Sequence, residues 1–232
     1  ALRRFQKAMK LKMTYGKGYF MFPDKIARRR PATYVKHGLF PKASNLCSEI
    51  LQVNEASAFN DDLSYSRMGT DISCNLGSLN IAATMDGPDF GGTVETAIRA
   101  LTAVSEMSAI DSVPSIRRGN DEAHAVGLGQ MNLHGFLARE GGHYDSAEAV
   151  DFTRCYFAAV AFHCLRASNA LARERGTTFA GFERSAYADG SFFGKYTEAD
   201  WLPETGAITD LFARLGVTLP TRDEWAALRD AV

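Results

Sequence analysis

In residues 44–50, Ser44-Asn45-Leu46-Cys47-Ser48-Glu49-Ile50, an amide, a thiol and a carboxylate stand at every second position. Extended backbone alternates its side chains, which would put Asn45, Cys47 and Glu49 on one face and Leu46, Ser48 and Ile50 on the other. A helix would instead rotate Asn45 about 200° away from Cys47. The spacing therefore predicts an extended strand or the tip of a loop. Same-face neighbours on a strand lie roughly 7 Å apart, about the span of a sugar ring. Such a face would offer a hydrogen-bonding amide, a reactive sulfur and a base to one small polyol. The plainer alternative is a buried strand with a core cysteine and two surface polar groups.

Other chemistry is sparse. The remaining cysteines are Cys74, Cys155 and Cys164, and none forms a C-x-x-C pair. Cys155 and Cys164 fall on one helical pattern about 900° of rotation apart, on opposite sides, and read as small core residues. Gly127-Leu128-Gly129 could begin a phosphate cradle, but Asn132 stands where a third glycine belongs. His124, His134 and His143 lack metal-ligand spacing and read as polar or capping residues. The basic run Arg28-Arg29-Arg30 reads as a surface loop.

The 232 residues, 46% hydrophobic and 23% charged, fit a globular chain of one large or two small domains. A net charge of −1 gives no electrostatic case for nucleic acid or an anionic membrane. No apolar run approaches the roughly 20 residues of a membrane helix. The chain opens Ala1-Leu2-Arg3-Arg4 without a signal-peptide pattern or an initiator Met, which suggests an internal piece of something longer. Four scattered cysteines favour a reducing cytoplasm.

The elements that must position these residues follow from periodicity. Residues 2–14 predict an amphipathic helix. Tyr19-Phe20-Met21-Phe22 predicts a short buried strand ended by Pro23, and residues 24–42 a loop. Residues 54–70 predict a hairpin or excursion, and 71–80 a second strand with Cys74 in or beside it. A helix is expected over 94–110 after Gly91-Gly92, ended by Val113-Pro114. A strand at 126–132 should lead into a helix from Leu133. The clearest helix is 146–175, with Asp145 and Glu148 as a capping box and Gly176 as its stop. Loop is expected over 177–208, then helices from Thr209 and Thr221.

Ser44-Asn45-Leu46-Cys47-Ser48-Glu49-Ile50 resembles the radical-cysteine loop of the aerobic class I ribonucleotide reductases, in their large (alpha) subunit. Ser73-Cys74-Asn75-Leu76-Gly77-Ser78-Leu79-Asn80 resembles the segment carrying one redox-active cysteine, and the interval from position 47 to 74 fits class Ib. The Gly127–Gly129 stretch, Ala167-Ser168-Asn169 and Trp225-Ala226-Ala227-Leu228-Arg229 are similar to that family in the same order.

The resemblance implies an α/β fold, part of a ten-stranded α/β barrel with substantial helical content, with residues 1–232 as its central part. It implies thiyl-radical reduction of ribonucleotides to deoxyribonucleotides. Cys47 would take hydrogen from C3′ of the ribose, Glu49 would take the 3′-hydroxyl proton, and Asn45 would hold that hydroxyl. Asn45, Leu46, Cys47, Ser48 and Glu49 would contact the substrate. Cys74 would supply reducing equivalents through a disulfide with a thiol that is neither Cys155 nor Cys164. No cofactor is expected on this chain. The radical would come from the metal-tyrosyl centre of a small (beta) subunit, and a thioredoxin- or glutaredoxin-like dithiol would restore the cysteines. The expected partners are a ribonucleoside diphosphate, the small subunit and a second alpha subunit. The family's effector region, second redox cysteine, phosphate loop and radical-relay tyrosines match nothing here, so the chain alone is expected to be inactive. Two alternatives stay open: a cobalamin-dependent reductase, which needs no small subunit, and a catalytically silent structural piece of the barrel.

Overall fold

The computed structural model describes residues 2–16, 18–108, 110–199 and 201–232; Ala1, Lys17, Ala109 and Asp200 lie outside them. The chain forms two compact units, Ala1–Val53 and Asn54–Val232.

The first unit is helical and irregular. The period in residues 2–14 gives helix α1, Leu2–Tyr15, which buries none of its residues. Residues 19–22 are not a strand: Tyr19 is 60% and Phe22 55% exposed, and Pro23 starts a helix rather than ending an element. Proline suits that first helical position because its missing N–H would have no partner there. Helices α2 (Pro23–Arg29) and α3 (Ala32–Lys36) occupy much of the stretch expected as loop. Of the basic run, Arg28 pairs with Asp24 at 3.0 Å, while Arg30 donates to the Leu39 carbonyl at 2.9 Å and lies over the Phe40 ring.

The second unit holds the core. Strands β1 (Ala58–Phe59) and β2 (Tyr65–Arg67) make the expected hairpin, paired antiparallel. Strand β3, Leu76–Asn80, pairs in parallel with β4, Gly127–Met131. Parallel strands need a crossover, here supplied by α4 (Ile81–Asp86), α5 (Phe90–Met107) and α6 (Pro114–Ala123). α5 starts before Gly91-Gly92, because the Asp89 carboxylate accepts the Gly92 N–H at 2.8 Å and caps it. The expected stripe is buried at Val94, Ile98 and Leu101 but not at Val104, and the helix stops short of Ile110. Pro114 opens α6 instead of closing α5.

After β4, Asn132 turns in the left-handed region (φ 70°) and α7, Leu133–Arg139, begins. The long helix α8 spans Ala147–Arg175 and stops at Gly176, whose φ of 64° glycine adopts without strain. Its cap is Ser146, not Asp145: the Ser146 hydroxyl accepts the Ala149 N–H at 3.1 Å. Residues 177–208 carry two short 3₁₀ turns and α9 (Gly194–Thr197), and α10 (Gly206–Arg214) begins within them. Helix α11, Arg222–Ala231, starts at Thr221 with a full capping box to Glu224.

α8 is the spine. Phe152, Cys155, Tyr156 and Ala159 are fully buried against Phe90 and Val94 of α5, Phe136 of α7 and Phe212 of α10. Phe152 stacks on Phe136 at 4.7 Å and on Phe212 at 5.7 Å. Further along, Phe162 meets Trp225 of α11, which lies flat on Tyr196 at 3.8 Å. Burying side chains of this size stabilises by about 1.5–3 kcal/mol each. An α/β fold with substantial helical content is what the resemblance implied; the parallel β3–β4 pairing and its helical crossover are findings of the structure. Among the described residues no helix is long and apolar enough to cross a membrane.

Candidate functional site

The chemistry-bearing residues fall in both units. In the first, Leu46-Cys47-Ser48 form a tight turn, closed by the Ser48 N–H donating to the Asn45 carbonyl at 3.1 Å. Of the two arrangements the spacing allowed, the structure takes the loop tip. Leu46 is therefore 81% exposed, not turned into a core. Ser48 holds φ 68°, a left-handed backbone that costs an L-residue roughly 1–2 kcal/mol.

Side chains sustain this turn. The Asn45 Oδ1 accepts the Ile50 N–H at 3.1 Å, and its Nδ2 donates to Glu49 Oε1 at 2.6 Å. The Ser44 hydroxyl donates to the Ile50 carbonyl at 2.7 Å and lies 3.3 Å from Asn45 Oδ1. A straight strand would hold Asn45 and Glu49 about 13 Å apart, so the direct amide–carboxylate bond exists because the chain folds back. Cys47, at the apex, is exposed. The spacing singled out Asn45, Cys47 and Glu49 as candidates but gave no sign that Ser44 joins their turn. The available signal was a Ser-Asn pair beside a turn, since both side chains readily bond nearby backbone groups.

In the second unit, Cys74 lies just before β3 and is exposed. Its neighbours are pinned on both sides. The Ser73 hydroxyl donates to Asn120 Oδ1 of α6 at 2.6 Å, and Asn120 Nδ2 donates to the Ser105 carbonyl of α5. Asn75 Nδ2 donates to the Leu101 carbonyl at 2.6 Å, and its own carbonyl accepts the Gly127 N–H at 3.0 Å. Asp71 accepts the Ser115 hydroxyl at 2.5 Å. Gly119 permits this approach: a Cβ there would stand 1.9 Å from the Asp71 carbonyl oxygen. Gly119→Ala is therefore expected to destabilise by about 1–3 kcal/mol, despite alanine's helix preference of roughly 1 kcal/mol. Denaturant unfolding of the variant measures it.

The other two cysteines are structural. Burial pushes the thiols of Cys155 and Cys164 up to about 11, so at neutral pH both stay protonated and unreactive. At nine positions apart on α8 they stand about 13 Å from each other along the axis, beyond disulfide reach.

The Gly127/Gly129 pair is not a phosphate turn. Both glycines sit inside β4, paired with Leu76 and Ser78 of β3. A Cβ on Gly127 would meet the Leu76 side chain at 2.4 Å, and one on Gly129 the Ser78 hydroxyl at 2.7 Å. His124 caps α6, donating its N–H to the Asn120 carbonyl with φ 46°. Among the described residues no cluster of His, Cys, Asp or Glu is placed to hold a metal.

A family model described as "Ribonucleotide reductase, barrel domain" matches residues 2–232. The "Ribonucleoside-diphosphate reductase subunit alpha" of Mycoplasma pneumoniae is 45% identical over 98% of this chain. The Bacillus subtilis protein of the same name is 39% identical over 97%. The chain spans 31% of the length of each of these relatives. Among solved structures, the alpha subunit of an Actinobacillus ureae class Id ribonucleotide reductase superposes with a TM-score of 0.56 at 24% identity, over 72% of this chain and 31% of that one. That likeness shows the fold, of which this chain carries part of the barrel. With the family model matched along nearly the whole chain, this protein belongs to the ribonucleotide reductase barrel-domain family.

Proposed function

We propose that this chain is the cysteine-bearing part of a ribonucleoside-diphosphate reductase alpha subunit, with Cys47 as its radical-bearing thiol. The observation that carries the reading is the Asn45–Ser48 turn. It carries an exposed Cys47 at its apex, and the flanking Asn45 amide and Glu49 carboxylate are bonded to each other at 2.6 Å. The names of the relatives support the substrate class.

In the proposed cycle a radical-generating small subunit oxidises Cys47 to a thiyl radical. The sulfur takes a hydrogen atom from C3′ of a ribonucleoside diphosphate, which suits a thiol because its S–H bond is weak. Glu49 takes the 3′-hydroxyl proton while Asn45 holds the oxygen. The 2′-hydroxyl takes up a proton and leaves as water. Cys74 and a partner thiol other than Cys155 or Cys164 give up two electrons and two protons and close a disulfide. Cys47 returns its hydrogen to C3′, Glu49 returns its proton, and an external dithiol protein resets Cys74. The balance is ribonucleotide plus dithiol to deoxyribonucleotide, disulfide and water. A reducing cytoplasm and an alpha homodimer are the proposed setting.

Cys74→Ser separates the two cysteines. In a full-length alpha subunit supplied with its small subunit, this variant is expected to abstract hydrogen but stall at reduction, so free base accumulates in place of deoxynucleotide. Sustained deoxynucleotide formation without base release would remove Cys74 from the reaction.

A further inference from the structure

We infer that Ser44 is a positioning residue for the Cys47 turn, an inference that rests on the radical-cysteine reading above. The turn contains a strained residue at its exit, Ser48 at φ 68°. A left-handed L-residue persists only where its surroundings hold it. Here the surroundings are a clamp on one backbone unit. Ile50 is gripped at both polar groups, its N–H by Asn45 Oδ1 at 3.1 Å and its C=O by the Ser44 hydroxyl at 2.7 Å. The two grips come from adjacent residues on one side of the turn and land on a single residue on the other. Together they close the loop around Leu46-Cys47-Ser48.

The clamp also sets which end of the Asn45 amide faces Glu49. Oδ1 is committed to the Ile50 N–H and lies beside the Ser44 hydroxyl. The NH₂ end is thereby directed to Glu49 Oε1. A flipped amide would set oxygen against carboxylate and leave the Ile50 N–H facing a second donor. Ser44 thus touches no reacting atom in the proposed cycle, but it holds the Ile50 carbonyl and, through Ile50, the amide that orients the base. Its removal should loosen the geometry of Cys47 and Glu49 together.

The test uses a full-length alpha subunit with its small subunit, and Ser44→Ala, Ser44→Thr and Cys47→Ser side by side. Ser44→Ala is expected to lower kcat roughly tenfold, while the substrate Kd stays within about twofold and Tm is unchanged. Ser44→Thr keeps the hydroxyl and is expected to recover most of that rate. A merely structural role would move Tm and Kd along with kcat and would not show this split. Wild-type kcat in Ser44→Ala, or a loss that Ser44→Thr does not restore, overturns the inference while leaving the role of Cys47 standing. Substantial turnover in Cys47→Ser removes the parent reading, and the role of Ser44 with it.

Discussion

Cys47→Ser in a full-length alpha subunit is expected to abolish deoxynucleotide formation, by a factor on the order of a thousand or more, with nucleotide affinity nearly unchanged. Serine is close to cysteine in size and keeps a hydrogen-bonding group, and the side chain is exposed at the apex of a turn, so packing has little to lose. What changes is the bond to hydrogen: the hydroxyl holds its atom too strongly to form a usable radical. Glu49→Gln keeps the shape and the contact with Asn45 but removes the base, and should slow the chemical step more than binding. The assay is deoxynucleotide and base release with the small subunit present. Substantial turnover by Cys47→Ser would make a structural module the better description of this chain.

Asp151→Ala is expected to cost about 3–5 kcal/mol of stability, the range for stripping one partner from a buried charged network. Asp151 sits in the first turns of α8 with a side chain only 3% exposed. It accepts the N–H of Glu204 at 2.9 Å, the N–H and hydroxyl of Thr205 at 2.9 Å each, and Arg154 at 3.0 Å. This one carboxylate ties α8 to the start of α10. Burial pushes its pKa up, but the hydrogen bonds from Glu204, Thr205 and Arg154 outweigh burial and hold it below the usual carboxylate value. With the folded pKa depressed, the stabilisation is fully present above the unfolded value of about 3.9 and is lost as pH falls through the folded pKa. Thermal unfolding from neutral pH downward should therefore show a deficit of several degrees for Asp151→Asn. That deficit should shrink only below about pH 4. A deficit independent of pH would mean that the carboxylate's charge contributes nothing.

The elements most legible in the sequence were those with long periods and strong punctuation. α8 was bounded to within a residue, because Gly176 and the Asp145-Ser146 pair flank an unbroken apolar pattern; which of two adjacent cap-type residues does the capping is decided by hydroxyl geometry. α2 and α6 were missed because Pro23 and Pro114 can equally stop a segment or start one, and both start helices. The aromatic run 19–22 looked like a buried strand, yet Tyr19 and Phe22 are exposed. At the candidate site, residue types and spacing were enough to single out Asn45, Cys47 and Glu49. They could not choose between strand and turn, because Ser48's positive φ and the grip of Ser44 and Asn45 on Ile50 arise from side-chain-to-backbone bonds that hydrophobic periodicity does not encode.

The parallel pairing of β3 with β4 has a consequence during synthesis. β3 begins at Leu76 and its partner at Gly127, so the first strand emerges about fifty residues ahead of the second. At roughly 5–20 residues per second it waits several seconds with its ladder groups unmet, whereas the intervening helices can form within microseconds. A strand of continuous β-branched residues would be a template for neighbouring nascent chains over that interval. Leu76-Gly77-Ser78-Leu79-Asn80 is a poor template, with a glycine, a serine and an asparagine in five positions and no β-branched residue. Gly77, where a Cβ would crowd Leu101 of α5 at 3.3 Å, thus also helps keep the waiting strand from pairing with a stranger on the ribosome next door.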